Sequence, residues 1–206
     1  MKIGFTRCVG IVALGAMMST GALAEEMDSV RRVVTGLDSS DKAVVLFDTE
    51  DTKPVATKDP VPRNLWTLHD VPATASTEDN ALAEITRAFM GYPQKVVFRT
   101  VDFPPAPPKE IMDTLPKDML MKIAGDSVPK KGMAPNHPLM HRTNTIDFAV
   151  VIEGEIDMVL DDSSVHLKAG DVVVQQETNH AWVNNGTGVT RIAFVQIETG
   201  SETGAE

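Results

Sequence analysis

The sequence predicts an all-β domain in its second half, with extra strands and one or two short helices ahead of it. Three observations carry this. From Thr143 onward, short strand-like runs follow one another closely: Thr145–Glu153, Glu155–Leu160, Ser164–Leu167, Asp171–Gln175, His180–Asn184 and Thr190–Ile197. Turn chemistry separates them at Gly154, Asp161-Asp162-Ser163, Ala169-Gly170 and 184–188. Such even punctuation is the mark of a sandwich or barrel.

The first half is less regular. Arg31–Thr35 and Ala43–Phe47 read as strands, and the intervening Gly36 to Asp41 is turn-forming, so the pair predicts a hairpin. Asn64–Leu68 predicts a further short strand. Thr77 to Met90 carries Leu82, Ile85 and Phe89 at helical spacing. Lys95–Phe103 predicts a strand, stopped by Pro104, Pro105, Pro107 and Pro108. Glu110–Gly125 predicts helix in two pieces, because Pro116 interrupts it.

The chain begins with Lys2 and Arg7, an apolar run from Cys8 to Met18, and small residues ending Ala22-Leu23-Ala24. This is the layout of an export signal cleaved after Ala24. It predicts an exported protein, periplasmic or extracellular, with no membrane attachment after cleavage. The full chain has 19 Lys and Arg against 29 Asp and Glu, a net charge of −10. Without Lys2 and Arg7 the balance is 17 against 29, a charge of −12. Nucleic acid is excluded as an expected partner, because phosphate binding needs a basic surface. The one cysteine, Cys8, lies in the leader, so residues 25–206 have no thiol to act as nucleophile or ligand.

Two stretches hold the chemistry. The first runs from His141 through Thr143 and Thr145 to Asp147, with Gly154 after six further residues. The second opens with Gly170-Asp171 and closes with His180 and, four places on, Asn184. Strand side chains alternate between faces. His141, Thr143, Thr145 and Asp147 therefore share one face of an unbroken strand, as do His180, Trp182 and Asn184. Two strands can thus each present an imidazole to the interior of a small barrel.

These two stretches, and the distance between them, resemble the paired motifs of the cupin superfamily. In that family the first stretch has His-x-His, then an acid, then Gly. Here Thr143 replaces the second His, Asp147 replaces Glu, and the Pro-x-Gly usual before the second-stretch His is absent. The resemblance implies a double-stranded β-helix, or jelly-roll barrel, with a core over residues 137–199. A signal peptide (1–24), a wrapping N-terminal segment (25–136) and a frayed tail (200–206) complete the division.

The resemblance also implies a small organic molecule in the barrel mouth and an enzyme of dioxygenase, isomerase, dehydratase or decarboxylase type. The alternative is a non-catalytic binder of a small molecule or metal in the cell envelope. Catalytic candidates are His141, His180 and Asp147, with Thr143, Thr145, Gln175, Trp182 and Asn184 as lining. Two His and one carboxylate match a facial triad for Fe, Mn, Zn or Ni, so His141, Asp147 and His180 form the candidate metal set. The metal-free form has a His shuttling a proton while Asp147 sets its tautomer. A homodimer is the assembly that the family suggests. A separate feature is the run of Met112, Met119, Met121, Met133 and Met140, whose thioethers could hold Cu(I) or simply fill gaps.

Overall fold

A computed structural model describes residues 29–51, 60–81, 95–124, 128 and 131–200. The leader lies outside the described residues, as does most of the helix expected over Thr77–Met90. Its described part, 77–81, forms bends and a turn.

Among the described residues, ten strands and two short helices follow in order: β1 (Val30–Leu37), β2 (Ala43–Asp51), β3 (Val61–Leu68), β4 (Val96–Phe103), α1 (Lys109–Met112), α2 (Met119–Ala124), β5 (Thr145–Glu153), β6 (Glu155–Val159), β7 (Ser164–Lys168), β8 (Val172–Gln176), β9 (Ala181–Val183) and β10 (Thr190–Glu198). Among the described residues, every strand expected from the sequence is present, with ends shifted by a few positions. The helical segment splits around Pro116 as its chemistry requires.

Two sheets face each other. The larger has the order β3-β4-β10-β5-β8 and the smaller β7-β6-β9. All their pairings are antiparallel. Alternation decides what lies between them. β5 turns Ala149 and Val151 inward, β10 turns Ile192 and Phe194, and β4 turns Val101 and Phe103. The smaller sheet supplies Ile156, Met158, Leu167 and Trp182. This is the double-stranded β-helix that the sequence predicts. β4 lies inside the larger sheet, hydrogen-bonded to β3 and β10.

Gly154 makes the β5–β6 corner. Its φ is +77°, and a Cβ there would sit 2.6 Å from Thr190 Oγ1, so the position needs glycine for conformation and for space. The corner carries the strand from one sheet to the other, which is how β5 and β6 line opposite walls of one core.

The β1–β2 hairpin forms a sheet of its own. Side-chain bonds tie it to the barrel. Arg32 bonds Asp79 at 2.6 and 2.5 Å and the Leu65 carbonyl at 3.3 Å. Arg191 reaches the Ser29 carbonyl at 3.2 Å.

Behind that junction lies a buried ion cluster on the outer side of the large sheet. Asp102 is fully buried and accepts from Arg63 and from Arg191, the latter through two guanidinium nitrogens, Nη2 at 2.8 Å. It bridges β3, β4 and β10, because Val61 and Arg191 flank Asp102 in register. Asp102→Asn removes a buried carboxylate that two guanidinium groups share, a change that costs about 3–5 kcal/mol. Asp102→Asn is therefore expected to lower the denaturant midpoint sharply at unchanged slope. A midpoint equal to wild type contradicts this role.

Candidate functional site

His141 and His180 lie just outside the regular strands. They are joined as an isolated antiparallel bridge. His141 N–H donates to the His180 carbonyl at 2.9 Å, and His180 N–H donates back at 3.0 Å. Directly opposed residues in such a pair project to the same side, so the two imidazoles meet, with ring centroids 4.2 Å apart. His180 is buried, while His141 is half-buried and forms the solvent side of the pair.

Each ring is oriented through Nδ1. His141 Nδ1 lies 3.1 Å from the Leu139 carbonyl and His180 Nδ1 lies 2.9 Å from the Thr178 carbonyl. A carbonyl oxygen only accepts, so both Nδ1 atoms carry the proton and both Nε2 atoms present a bare lone pair. The tautomers are thus set by backbone carbonyls two residues upstream, not by Asp147. This corrects the expectation that the carboxylate orients a histidine.

Burial keeps the pair neutral. It pushes His180 down to about 4, against the weak upward pull of its bond to Thr178. It pushes His141 down to about 3, with the neighbouring His180 ring and Arg99 adding to the effect. Two imidazoles this close disfavour a second proton on the pair.

Asp147 is buried two rows away along the same wall. Gln196 stands opposite it on β10 and donates from Nε2 to Oδ2 at 2.8 Å. Asp147 Oδ1 and Gln196 Oε1 have no hydrogen-bond partner. Burial pushes the Asp147 carboxyl above its usual range, and Thr145, Gln196, Arg99 and His141 offset part of this. Among the described residues, no group of three His, Cys, Asp or Glu side chains is placed to hold a metal. His141 and His180 sit in the bridge beyond the end of β5, while Asp147 sits within β5 and is bonded by Gln196. The two imidazoles and the carboxylate are the donors this wall offers.

The expected lining residues divide by task. Thr143 and Thr145 are buried beside the histidines, and Thr145 donates to the Thr143 hydroxyl at 2.7 Å. Gln175, with its amide oxygen toward the chain, accepts from Glu177 N–H at 3.2 Å and Thr178 N–H at 3.0 Å. It thereby shapes the loop that delivers His180. Trp182 packs against Phe103 and Phe194 in the core and meets His180 edge-on at 6.1 Å. It backs the histidine as a core wall and is not an open platform. Asn184 bonds the carbonyls of Phe103 and Gly188 at 2.8 Å each and the Gly186 N–H at 2.9 Å. It is a turn clamp with its polar atoms engaged.

The remaining histidines lie elsewhere. His166 is exposed and bonds Asp157 at 2.8 Å, His69 is on the surface, and His137 Nδ1 accepts from Leu139 N–H. Met140 is fully buried with Ala181 and Val183, and Met121 packs against that cluster, while Met133 is 67% exposed.

Two interior residues escaped the sequence reading. Gln196 and Arg99 occupy inward positions, in alternation with Ile192 and Phe194 on β10 and with Val97 and Val101 on β4. A polar residue at an inward strand position was the available signal.

Residues 127–196 match the Cupin_2 family, described as a cupin domain. That stretch is similar to a cupin domain. A stretch of the chain is similar to several curated proteins. Phomopsin biosynthesis cluster protein C' of Diaporthe leptostromiformis is 53% identical over 62 residues, 29% of this chain and 33% of that protein. Oryzines biosynthesis cluster protein J of Aspergillus oryzae is 43% identical over 63 residues, 30% and 35% respectively. The cupin-domain-containing oxidoreductase fogC of Aspergillus ruber is 41% identical over 63 residues, 29% and 31%. The match thus spans about a third of the length of these relatives. Among solved structures, a double-stranded beta-helix domain protein of Klebsiella pneumoniae superposes with a TM-score of 0.38 at 14% identity, covering 72% of this chain and 86% of that one.

The depressed histidines make stability depend on pH in one direction. The unfolded chain takes up a proton on His180 near its ordinary value of 6.5, whereas the folded protein does not until about 4. Acid therefore favours unfolding across that window, by up to about 3 kcal/mol from this residue. Asp147, shifted upward, acts with the opposite sign. Thermal melts of wild type and His180→Gln between pH 7 and 4 check this. The variant is expected to lose less stability on acidification, and parallel curves contradict it.

Proposed function

We propose that this cupin is an enzyme that acts on a small organic molecule at the mouth of its barrel, using the His141–His180 pair to move a proton. The observation that carries the reading is the pair itself: two neutral rings in contact, each with Nδ1 spent on a carbonyl and Nε2 left as an acceptor. Curated relatives named cupin-domain-containing oxidoreductases support an enzyme.

The chemistry follows from the pair's weak basicity. A buried imidazole held well below its ordinary pKa takes a proton only from an acidic position, such as an enol, a phenol or a carbon next to a carbonyl. One Nε2 accepts that proton, and the contact between the rings limits the pair to one positive charge. Returning the proton to a neighbouring substrate atom completes an isomerisation, and giving it to a departing hydroxyl completes a dehydration. Backbone carbonyls fix both rings throughout, while the Thr143–Thr145 hydroxyls and the orphan oxygens of Asp147 and Gln196 offer hydrogen-bond partners along the same wall.

A thermal-shift screen with small hydroxy and keto acids and phenols, followed by turnover assays on the stabilising compounds, tests the proposal. Conversion of a stabilising compound is expected, with His141→Gln and His180→Gln each lowering kcat about 10²–10⁴-fold while remaining folded. Turnover unaffected by both substitutions overturns it. Stabilisation without conversion makes the cupin a binding protein. One equivalent of transition metal, lost in both variants, replaces proton transfer with metal chemistry on two imidazoles.

A further inference from the structure

A cleft of about 780 Å³ lies between the outer face of the large sheet and the β1–β2 hairpin. Register builds its floor. Leu68 stands opposite Val96, Trp66 opposite Phe98, and Phe98 opposite Val195. Opposed residues project to the same side, so two adjacent rows of apolar side chains face outward together. Along β1, half-buried residues alternate with exposed ones, and the half-buried Arg32 and Val34 line the cleft from the hairpin side. Phe98 is 40% exposed and leaves part of its ring open on the floor.

Polar struts hold the two sides apart. Water drives facing apolar surfaces together, and close packing is the rule where they meet. Here the hairpin is fixed by side-chain bonds instead. Arg32 reaches Asp79 and the Leu65 carbonyl, and Arg191 reaches the Ser29 carbonyl. These bonds set the separation and keep the cleft open. They also settle its charge. The two charged residues that line it are both matched: Arg31 bonds both Asp48 oxygens at 2.8 Å, and Arg32 bonds both Asp79 oxygens. An ionised ligand entering such a cleft leaves water for apolar walls with no counter-ion waiting, which is costly.

We propose that this cleft is a second binding site, separate from the barrel mouth, for an uncharged and mainly apolar small molecule with a flat ring. Its volume falls in the range of about 300–1,000 Å³ that holds drug-sized ligands, and such sites pair mostly apolar walls with a few polar groups. The rings of Trp66 and Phe98 suit offset or edge-on contact with a flat ring. The hydroxyls of Thr35, Thr74 and Ser76 are the polar groups that line it without charge. A two-stranded hairpin is marginally stable alone, so a molecule packed between it and the sheet adds apolar contact where side-chain bonds now serve. The histidine pair belongs to the interior on the other face of the sheet, and the two sites fill independently.

Fluorescence titration of the full chain with N-phenyl-1-naphthylamine, an uncharged probe with flat rings, tests this. One molecule is expected to bind per chain with micromolar affinity. 1-Anilinonaphthalene-8-sulfonate adds a sulfonate to the same scaffold and is expected to bind about tenfold more weakly. Phe98→Glu is expected to weaken the uncharged probe about tenfold; Val34→Trp, which fills the cleft, gives the same loss if Phe98→Glu fails to fold. His180→Gln is expected to bind like wild type. No binding of the uncharged probe overturns the proposal, as does equal affinity for the two probes. Undiminished binding by a folded cleft variant overturns it too. So does loss of binding in His180→Gln, or in Val174→Lys on the open part of the sheet.

Discussion

Two backbone hydrogen bonds between His141 and His180 hold the candidate site together. They tie the segment that enters β5 to the segment that enters β9, so one strand-like step joins the walls of the two sheets beyond the end of β5. The ring contact is a consequence of that pairing, since directly opposed residues project to one side. The bonds from each Nδ1 to a carbonyl two residues upstream then fix the rotation of both rings. Everything chemical about the pair follows: neutral rings, Nε2 acceptors side by side, and mutual repulsion against a second proton.

The barrel around the pair separates polar from apolar along each strand. Within the large sheet the inner face is apolar toward β6 and β7 and turns polar at Asp147, Gln175 and Gln196. That gradient places the hydrogen-bonding groups near the histidines and leaves Trp182, Phe103 and Phe194 to back them. On the outer side of the same sheet, Asp102 and its two arginines fasten β3, β4 and β10, while β5 and β8 expose Phe148, Val150, Val172 and Val174. One sheet thus carries both a core wall and a site wall.

Most of this fold was legible because strands announce themselves by turns and by alternation. The Gly154 corner and the interruption at Pro116 are dictated by backbone conformation, which residue type reveals directly. The pairing of His141 with His180 was legible only as two imidazoles facing inward, since their contact depends on a bridge outside the regular strands. Asp147 shows the limit more clearly. Its parity placed it inside, correctly, but whether it reaches the histidines depends on Gln196, fixed by the register of β10 against β5. Register between distant strands is a tertiary property that parity alone does not supply. Trp182 and Asn184 also share parity with His180, yet they serve the core and a turn, because neighbours decide what an inward side chain does.

The account's central claim is that His141 and His180 are neutral, with Nδ1 protonated and Nε2 bare. Nitrogen-15 NMR of the imidazole rings reads protonation and tautomer directly. The claim requires both rings to show the Nδ1–H tautomer at neutral pH and to stay neutral well below their ordinary value of 6.5. A protonated Nε2 on either ring at neutral pH, or titration near 6.5 in the folded protein, contradicts it.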